Sequence, residues 1–182
     1  LGIEERPFDR IVSYIGTGVR DLMRKSLGSS NSAISDEAVE IFSRYYVKHS
    51  ADRSKLYPHV KEVLNYFKDK RKFVVTNRFR KFADMTLKEL GIRRYFEDIV
   101  GGDDESCMKP SRCVLDRMFS RLGIDRKRAM IVGDMVIDIK TGKNSGMATS
   151  WVTYGLGKRK DLRNLKPDYI IDDIMELKEI IR

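Results

Sequence analysis

Ile131-Val132-Gly133-Asp134-Met135-Val136-Ile137-Asp138 is the stretch that decides how this chain is read. An apolar run enters a glycine, where the backbone can turn sharply, and two carboxylates follow, four residues apart. A strand that ends in this way, with a helix after it, puts both acids at the carboxyl edge of an open α/β sheet, where such sheets place ligands. Two hard oxygen donors on a rigid strand end suit Mg²⁺, which takes one or two carboxylates and completes its shell with water and phosphate. A plainer reading stays open at this point, with Asp134 making the turn and Asp138 on a solvated helix face.

Working outward, short β-branched or apolar runs recur at Phe73–Thr76, Asp98–Val100, Thr149–Val152 and Tyr169–Ile171. Amphipathic stretches lie between them, carrying Val60, Val63, Leu64 and Phe67, then Phe82, Met85, Leu87 and Leu90, then Val114, Leu115, Met118, Phe119 and Leu122. Gly91 and Gly123 stand where left-handed helix caps belong. This rhythm predicts an α/β fold, a parallel sheet with crossover helices, over 57–182. The first 56 residues read differently: Ile11, Val12, Ile15, Val19, Leu22, Met23 and Leu27, and later Ala38, Ile41, Phe42, Tyr45 and Tyr46, recur at helical steps. They predict a small all-helical unit over 1–56.

Composition narrows the function classes. The chain has 182 residues, 41% hydrophobic and 35% charged, which excludes a disordered or collagenous protein. No apolar run nears the roughly 18 residues of a membrane span. The net charge of +9 permits nucleic-acid binding, but the basic runs lack interleaved aromatics and zinc-finger spacing, and a solvated basic surface suits small anions equally well. Cys107 and Cys113 are too few for a disulfide framework, and His49 and His59 lie too far off to complete a zinc site. That usage fits a reducing cytosol, so the sequence-based expectation is a cytoplasmic protein.

Two further elements carry chemistry. Phe73-Val74-Val75-Thr76-Asn77 ends a strand in a hydroxyl and an amide, groups that either cradle a phosphate or cap the next helix. In Met108-Lys109-Pro110-Ser111 a lysine precedes a proline placed to open a helix, which would hold the ammonium at a defined point.

The order of these elements, strand–Thr, then Lys-Pro, then strand–Gly-Asp-x-x-x-Asp, resembles motifs two, three and four of the haloacid dehalogenase superfamily, and the likeness runs along essentially the whole chain. It implies a Rossmann-like, doubly wound core. The helical unit, with Tyr14-Ile15-Gly16-Thr17-Gly18-Val19-Arg20, is similar to the small cap of the phosphoglycolate phosphatase-like branch. The resemblance implies a Mg²⁺-dependent hydrolysis of a small phosphorylated metabolite through an aspartyl-phosphate. It implies that Thr76 and Asn77 bind phosphoryl oxygens, Lys109 neutralises nucleophile and phosphate, Asp134 holds Mg²⁺, Asp138 completes or orients its shell, and Arg20 meets the substrate's distal anion.

The family's first motif, Asp-x-Asp-Gly-Thr, carries the nucleophile and the acid/base, and no Asp-x-Asp occurs in this chain. In the resembled fold that motif ends the central strand. A parallel sheet without its middle strand leaves two rows of backbone groups unpaired. Leu1-Gly2-Ile3 reads like a helix end, so a segment of roughly 20–25 residues, one strand and one helix by average lengths, is expected before Leu1. Direct pairing of Phe73–Thr76 with Met130–Val132 would refute that expectation. Three alternatives accompany the phosphatase reading: a phosphosugar mutase or pyrophosphatase of the same fold, a catalytically inactive relative that binds phosphate or a partner, and a nucleic-acid binder.

Overall fold

The computed structural model describes residues 4–28 and 32–181; the expectation about Leu1-Gly2-Ile3 lies outside them. Three helices come first: α1 (Phe8–Val12), α2 (Val19–Leu27) and α3 (Ser32–His49). The α/β alternation then runs α4 (Val60–Tyr66), β1 (Phe73–Val75), α5 (Arg80–Glu89), β2 (Asp98–Val100), α6 (Cys113–Leu122), β3 (Met130–Gly133), α7 (Val136–Asn144), β4 (Ala148–Val152), β5 (Tyr169–Ile171) and α8 (Leu177–Ile180). All five strands expected from the sequence form, and every strand pair is parallel.

The strands make two separate ladders. β1 pairs with β2 in the register Phe73↔Asp98 and Val75↔Val100, and Thr76 N–H extends that ladder to the Val100 carbonyl at 2.9 Å. β4 lies between β3 and β5, with Gly133 opposite Trp151 and Val152 opposite Ile171. β1 and β3 do not pair among the described residues. Each of these two strands keeps one edge without a ladder partner among the described residues. Val132 in β3 is 37% exposed, which is high for an apolar residue of a parallel sheet.

Apolar stripes explain why the halves hold together. On α6, Val114, Leu115, Met118 and Phe119 repeat at helical spacing and are all buried. They pack on Phe73, Val75 and Val100 of the first ladder and on Ala129 and Met147, which flank strands of the second. One helix therefore covers a face of both ladders. Gly123, at φ +62°, ends it in the left-handed conformation that a side chain would strain. The second ladder has its own core, with Trp151 and Ile139 fully buried against Leu165, and with Val63, Phe67, Val152, Ile171 and Leu177 on the other side. The aromatic residues Phe42 and Tyr46 of α3 meet Phe82 of α5 at ring distances of 6.2 and 4.7 Å, which seats the helical stretch on the first ladder's helix.

Two expectations need correction here. Pro110 does not open a helix: the Lys109–Pro110 bond is cis, Pro110 sits in a turn, and α6 begins at Cys113. Lys109 is held instead by side chains from elsewhere, as shown below. Cys107 and Cys113, too few for a framework, nevertheless form one disulfide, with Cα atoms 5.5 Å apart, closing a short ring around Lys109. Spacing of six residues gave no sign of it, because bridging depends on the turn between them.

Candidate active site

The site lies beyond the carboxyl ends of β1 and β3. Its organising residue is Asn77, one position past Thr76 and 5% exposed. Its Nδ2 donates to the carbonyls of Gly16 and Lys109, both at 2.9 Å, and its Oδ1 accepts the Lys109 N–H at 2.8 Å. A buried amide with these partners is spent on structure. The Asn77 side chain thus ties the Lys109 turn and the Gly16–Gly18 segment to the end of β1, and phosphoryl binding by Asn77 would fall to its main-chain N–H. The same segment rests on methionines, since a Cβ on Gly18 would meet Met108 at 3.3 Å and one on Gly16 would press on Met135 at 2.7 Å.

Lys109 reaches from that anchor to the other ladder. Its Nζ lies 2.6 Å from Asp138 Oδ1, and both side chains are 10% exposed, so the pair is largely shielded from water. Asp138 Oδ2 accepts the Met135 N–H at 3.0 Å, which makes Asp138 the reciprocal cap of α7. The plainer reading of Asp138 as a solvated helix residue is thus set aside: it is buried, and it joins the start of α7 to Lys109. Asn144 Nδ2 donates to the Pro110 carbonyl at 2.8 Å and fixes the far side of the turn.

Asp134 faces another way. Its Oδ2 accepts the Leu156 N–H at 2.6 Å from the loop that follows β4. Gly155 and Gly157 bracket that contact, and a Cβ on either would overlap Asp134 atoms, so the loop can close on the aspartate only with glycines there. This loop was not foreseen, although Gly155-Leu156-Gly157 just past a strand was the available signal. Nearby, burial raises the Tyr154 hydroxyl to about 12, with Asp173, Tyr57 and Asp134 adding to the shift.

Thr76 Oγ1 accepts the Arg78 N–H at 3.1 Å and retains its own proton for a ligand. It does not cap α5, whose first amide, Arg80 N–H, donates instead to Asp103 Oδ2 at 2.9 Å. Arg20 stands apart from this group: its guanidinium is 2.5 Å from Asp36 and 4.0 Å from Glu105. The structure therefore brings Thr76, Lys109, Asp134 and Asp138 to one end of the two ladders and engages Arg20 with carboxylates.

These donors fit a hard divalent cation. Asp134 has one carboxylate oxygen without a partner among the described residues, and Asp138, at the start of α7, is held in place by Lys109 and the Met135 amide. No cluster of three or more His, Cys, Asp or Glu side chains occurs among the described residues.

The family model of the haloacid dehalogenase-like hydrolases matches residues 2–152. A phosphoglycolate phosphatase of Nitrosococcus oceani is 31% identical over 188 residues, covering 100% of this chain and 84% of that protein. One from Aquifex aeolicus is 32% identical over 183 residues, covering 100% and 83%. Among solved structures, a predicted phosphoglycolate phosphatase from Haemophilus somnus superimposes with a TM-score of 0.88 at 25% identity, covering 98% of this chain and 84% of that one. No helix among the described residues is long and apolar enough to cross a membrane. With its α/β ladders, its Lys109–Asp138 bridge and this family match, the chain belongs to the haloacid dehalogenase-like hydrolases.

Proposed function

We propose that the full-length protein is a Mg²⁺-dependent phosphatase that hydrolyses a small phosphomonoester such as phosphoglycolate. The observation that carries this reading is Lys109, whose backbone is clamped by Asn77 at the end of β1 and whose ammonium sits 2.6 Å from Asp138 beyond β3. A cation held at the same sheet end as a threonine hydroxyl and two carboxylates suits the holding of a phosphoryl group. The names of the relatives support the substrate class.

Thr76 Oγ1 donates its proton to a phosphoryl oxygen. Lys109 balances the charge of the phosphate from the opposite side, in a setting dry enough to make that charge count. Asp134 would hold Mg²⁺ directly, and Asp138, which orients Lys109, would complete the shell. Mg²⁺, when bound, polarises the phosphoryl oxygens and screens their charge. The nucleophile and acid/base would come from an Asp-x-Asp segment preceding Leu1; attack of its first carboxylate on phosphorus breaks the ester P–O bond, the second carboxyl protonates the departing alcohol, and water, giving up a proton to that carboxylate, hydrolyses the aspartyl-phosphate to inorganic phosphate. In this reading residues 1–56 are the helical cap and 57–182 the core, acting on a small phosphorylated metabolite, while the Cys107–Cys113 disulfide removes the cysteine argument for a reducing cytosol.

Phosphate release from phosphoglycolate by the full-length protein, with Mg²⁺ and after chelation, tests the proposal. Turnover that disappears on chelation and in Asp134→Asn is expected. Metal-independent turnover, or none on any phosphomonoester, sinks it. The absence of Asp-x-Asp from these 182 residues favours one second reading, an inactive phosphate-binding relative, which predicts phosphate binding without turnover even in the full-length protein.

A further inference from the structure

Three arginines lie near the carboxyl end of β1 or against its neighbours, and they differ in what holds them. Arg20 is paired with Asp36 at 2.5 Å. Arg80 is 2.7 Å from Asp98 and also donates to the Ile99 carbonyl, along the outer edge of β2. Arg78, which directly follows Asn77, is exposed and has no carboxylate at ion-pair distance among the described residues. Its guanidinium instead lies over the ring of Tyr46 in α3, 5.6 Å from the centroid.

That ring is a fixed platform. Tyr46 packs on Phe82 at 4.7 Å and on Phe42 at 5.4 Å, so the aromatic contact between α3 and α5 holds it from two sides. A guanidinium resting on an aromatic face keeps its N–H edge free, and that planar fork matches a carboxylate through two parallel hydrogen bonds. The backbone of Arg78 is fixed as well, with its N–H on Thr76 Oγ1 at 3.1 Å and its carbonyl accepting Gly102 N–H at 2.8 Å. The side chain thus leaves the phosphate-holding end of β1 and leans toward the helical unit, the direction in which the remainder of a bound phosphomonoester must extend.

We infer that Arg78 is the specificity-determining residue of this site, binding the distal carboxylate of a small phosphorylated hydroxy acid. The inference rests on the phosphatase reading above, and it moves the distal-anion role away from Arg20, whose charge Asp36 already meets. The ring of Tyr46 removes much of the entropy that a free arginine would lose on binding.

Calorimetric titration of the full-length protein at fixed free Mg²⁺ separates the possibilities, using methylphosphonate, which has one anionic head, and phosphonoacetate, which adds a carboxylate. Wild type is expected to prefer phosphonoacetate. Arg78→Met is expected to raise its Kd about tenfold to a hundredfold, the loss of a charged bidentate contact, and to leave methylphosphonate within about twofold. Arg78→Lys recovers part of the loss, because an ammonium cannot supply the fork. Arg20→Met leaves both ligands unchanged. Equal loss of both ligands in Arg78→Met, no loss, or a loss that follows Arg20 overturns the inference. Wild type that binds both phosphonates equally overturns it while leaving the phosphatase reading intact. Wild type that binds neither removes the phosphate site itself.

Discussion

Replacing Asp138 by asparagine tests the geometry on which the site depends. In the native protein one carboxylate serves two cationic or polar donors at once, Lys109 Nζ at 2.6 Å and Met135 N–H at 3.0 Å. An amide of the same shape has one oxygen and one NH₂. Whichever way it turns, a donor faces a donor on one side, and the buried ammonium loses its counter-charge. Removing one partner of a buried ion pair costs about 3–5 kcal/mol, mostly the penalty of the charge left behind. With both side chains 10% exposed, water relieves little of that cost, so the effect of Asp138→Asn on the full-length protein is expected in this range. Lys109→Met should cost a similar amount. The double variant leaves neither charge unpaired, and a coupling of about 2–3 kcal/mol in its favour is expected. Urea unfolding followed by the fluorescence of Trp151, the single tryptophan and fully buried, measures all four corners of the cycle. Single-variant costs below about 1 kcal/mol with no coupling would show a solvent-screened pair and refute the argument.

Two further outcomes follow from geometry away from that pair. Burial works against ionisation of Asp98, but hydrogen bonds from Arg121, Arg80 and the Ile99 amide outweigh it and lower the carboxyl to about 2. A depressed folded-state value stabilises the protein above the ordinary carboxylate pKa and is lost as pH falls through about 2. Asp98→Asn should therefore lower stability by about 2 kcal/mol at neutral pH, and the gap from wild type should close between roughly pH 4 and pH 2 in acid titrations of the urea midpoint; a gap that is constant with pH contradicts the assignment. Gly157→Ala places a Cβ against the Asp134 carbonyl and the Trp151 ring and should cost about 2–3 kcal/mol, whereas a Cβ on Gly91 meets nothing within 4 Å and Gly91→Ala should cost about 1 kcal/mol of backbone strain. Equal urea midpoints for the two variants would count against the close approach of that loop to Asp134.

The α/β rhythm was legible because the strands are short and β-branched and the helices end at Gly91 and Gly123, both local signals. Strand positions therefore agree with the sequence reading to within a residue at Phe73–Val75, Met130–Gly133 and Ala148–Val152. The motif order also placed Lys109 and Asp138 in one neighbourhood. What sequence could not convey was how each polar side chain divides its bonds. Asn77 follows a strand as a phosphate-binding amide or a helix cap would, yet its partners Gly16 and Lys109 are 61 and 32 positions away. The resemblance singles out Arg20 and passes over Arg78, and only Asp36 and Tyr46, both brought in by α3, distinguish their surroundings. Pro110 was misread because the preference for a first helical turn is a local statistic, while the turn at Lys109 is set by Asn77 and Asn144.

α6 has a role that its description as a packing helix leaves out. It starts at Cys113, which is bonded to Cys107 on the other side of Lys109, and its buried face floors both ladders. A ligand that draws on the Lys109 ammonium thus pulls on a covalent ring whose far post is the first residue of that helix. Occupancy of the site should be communicated along α6 to two half-sheets that share no ladder hydrogen bond among the described residues, and slowed amide exchange from Val114 to Phe119 on phosphate binding would be its signature.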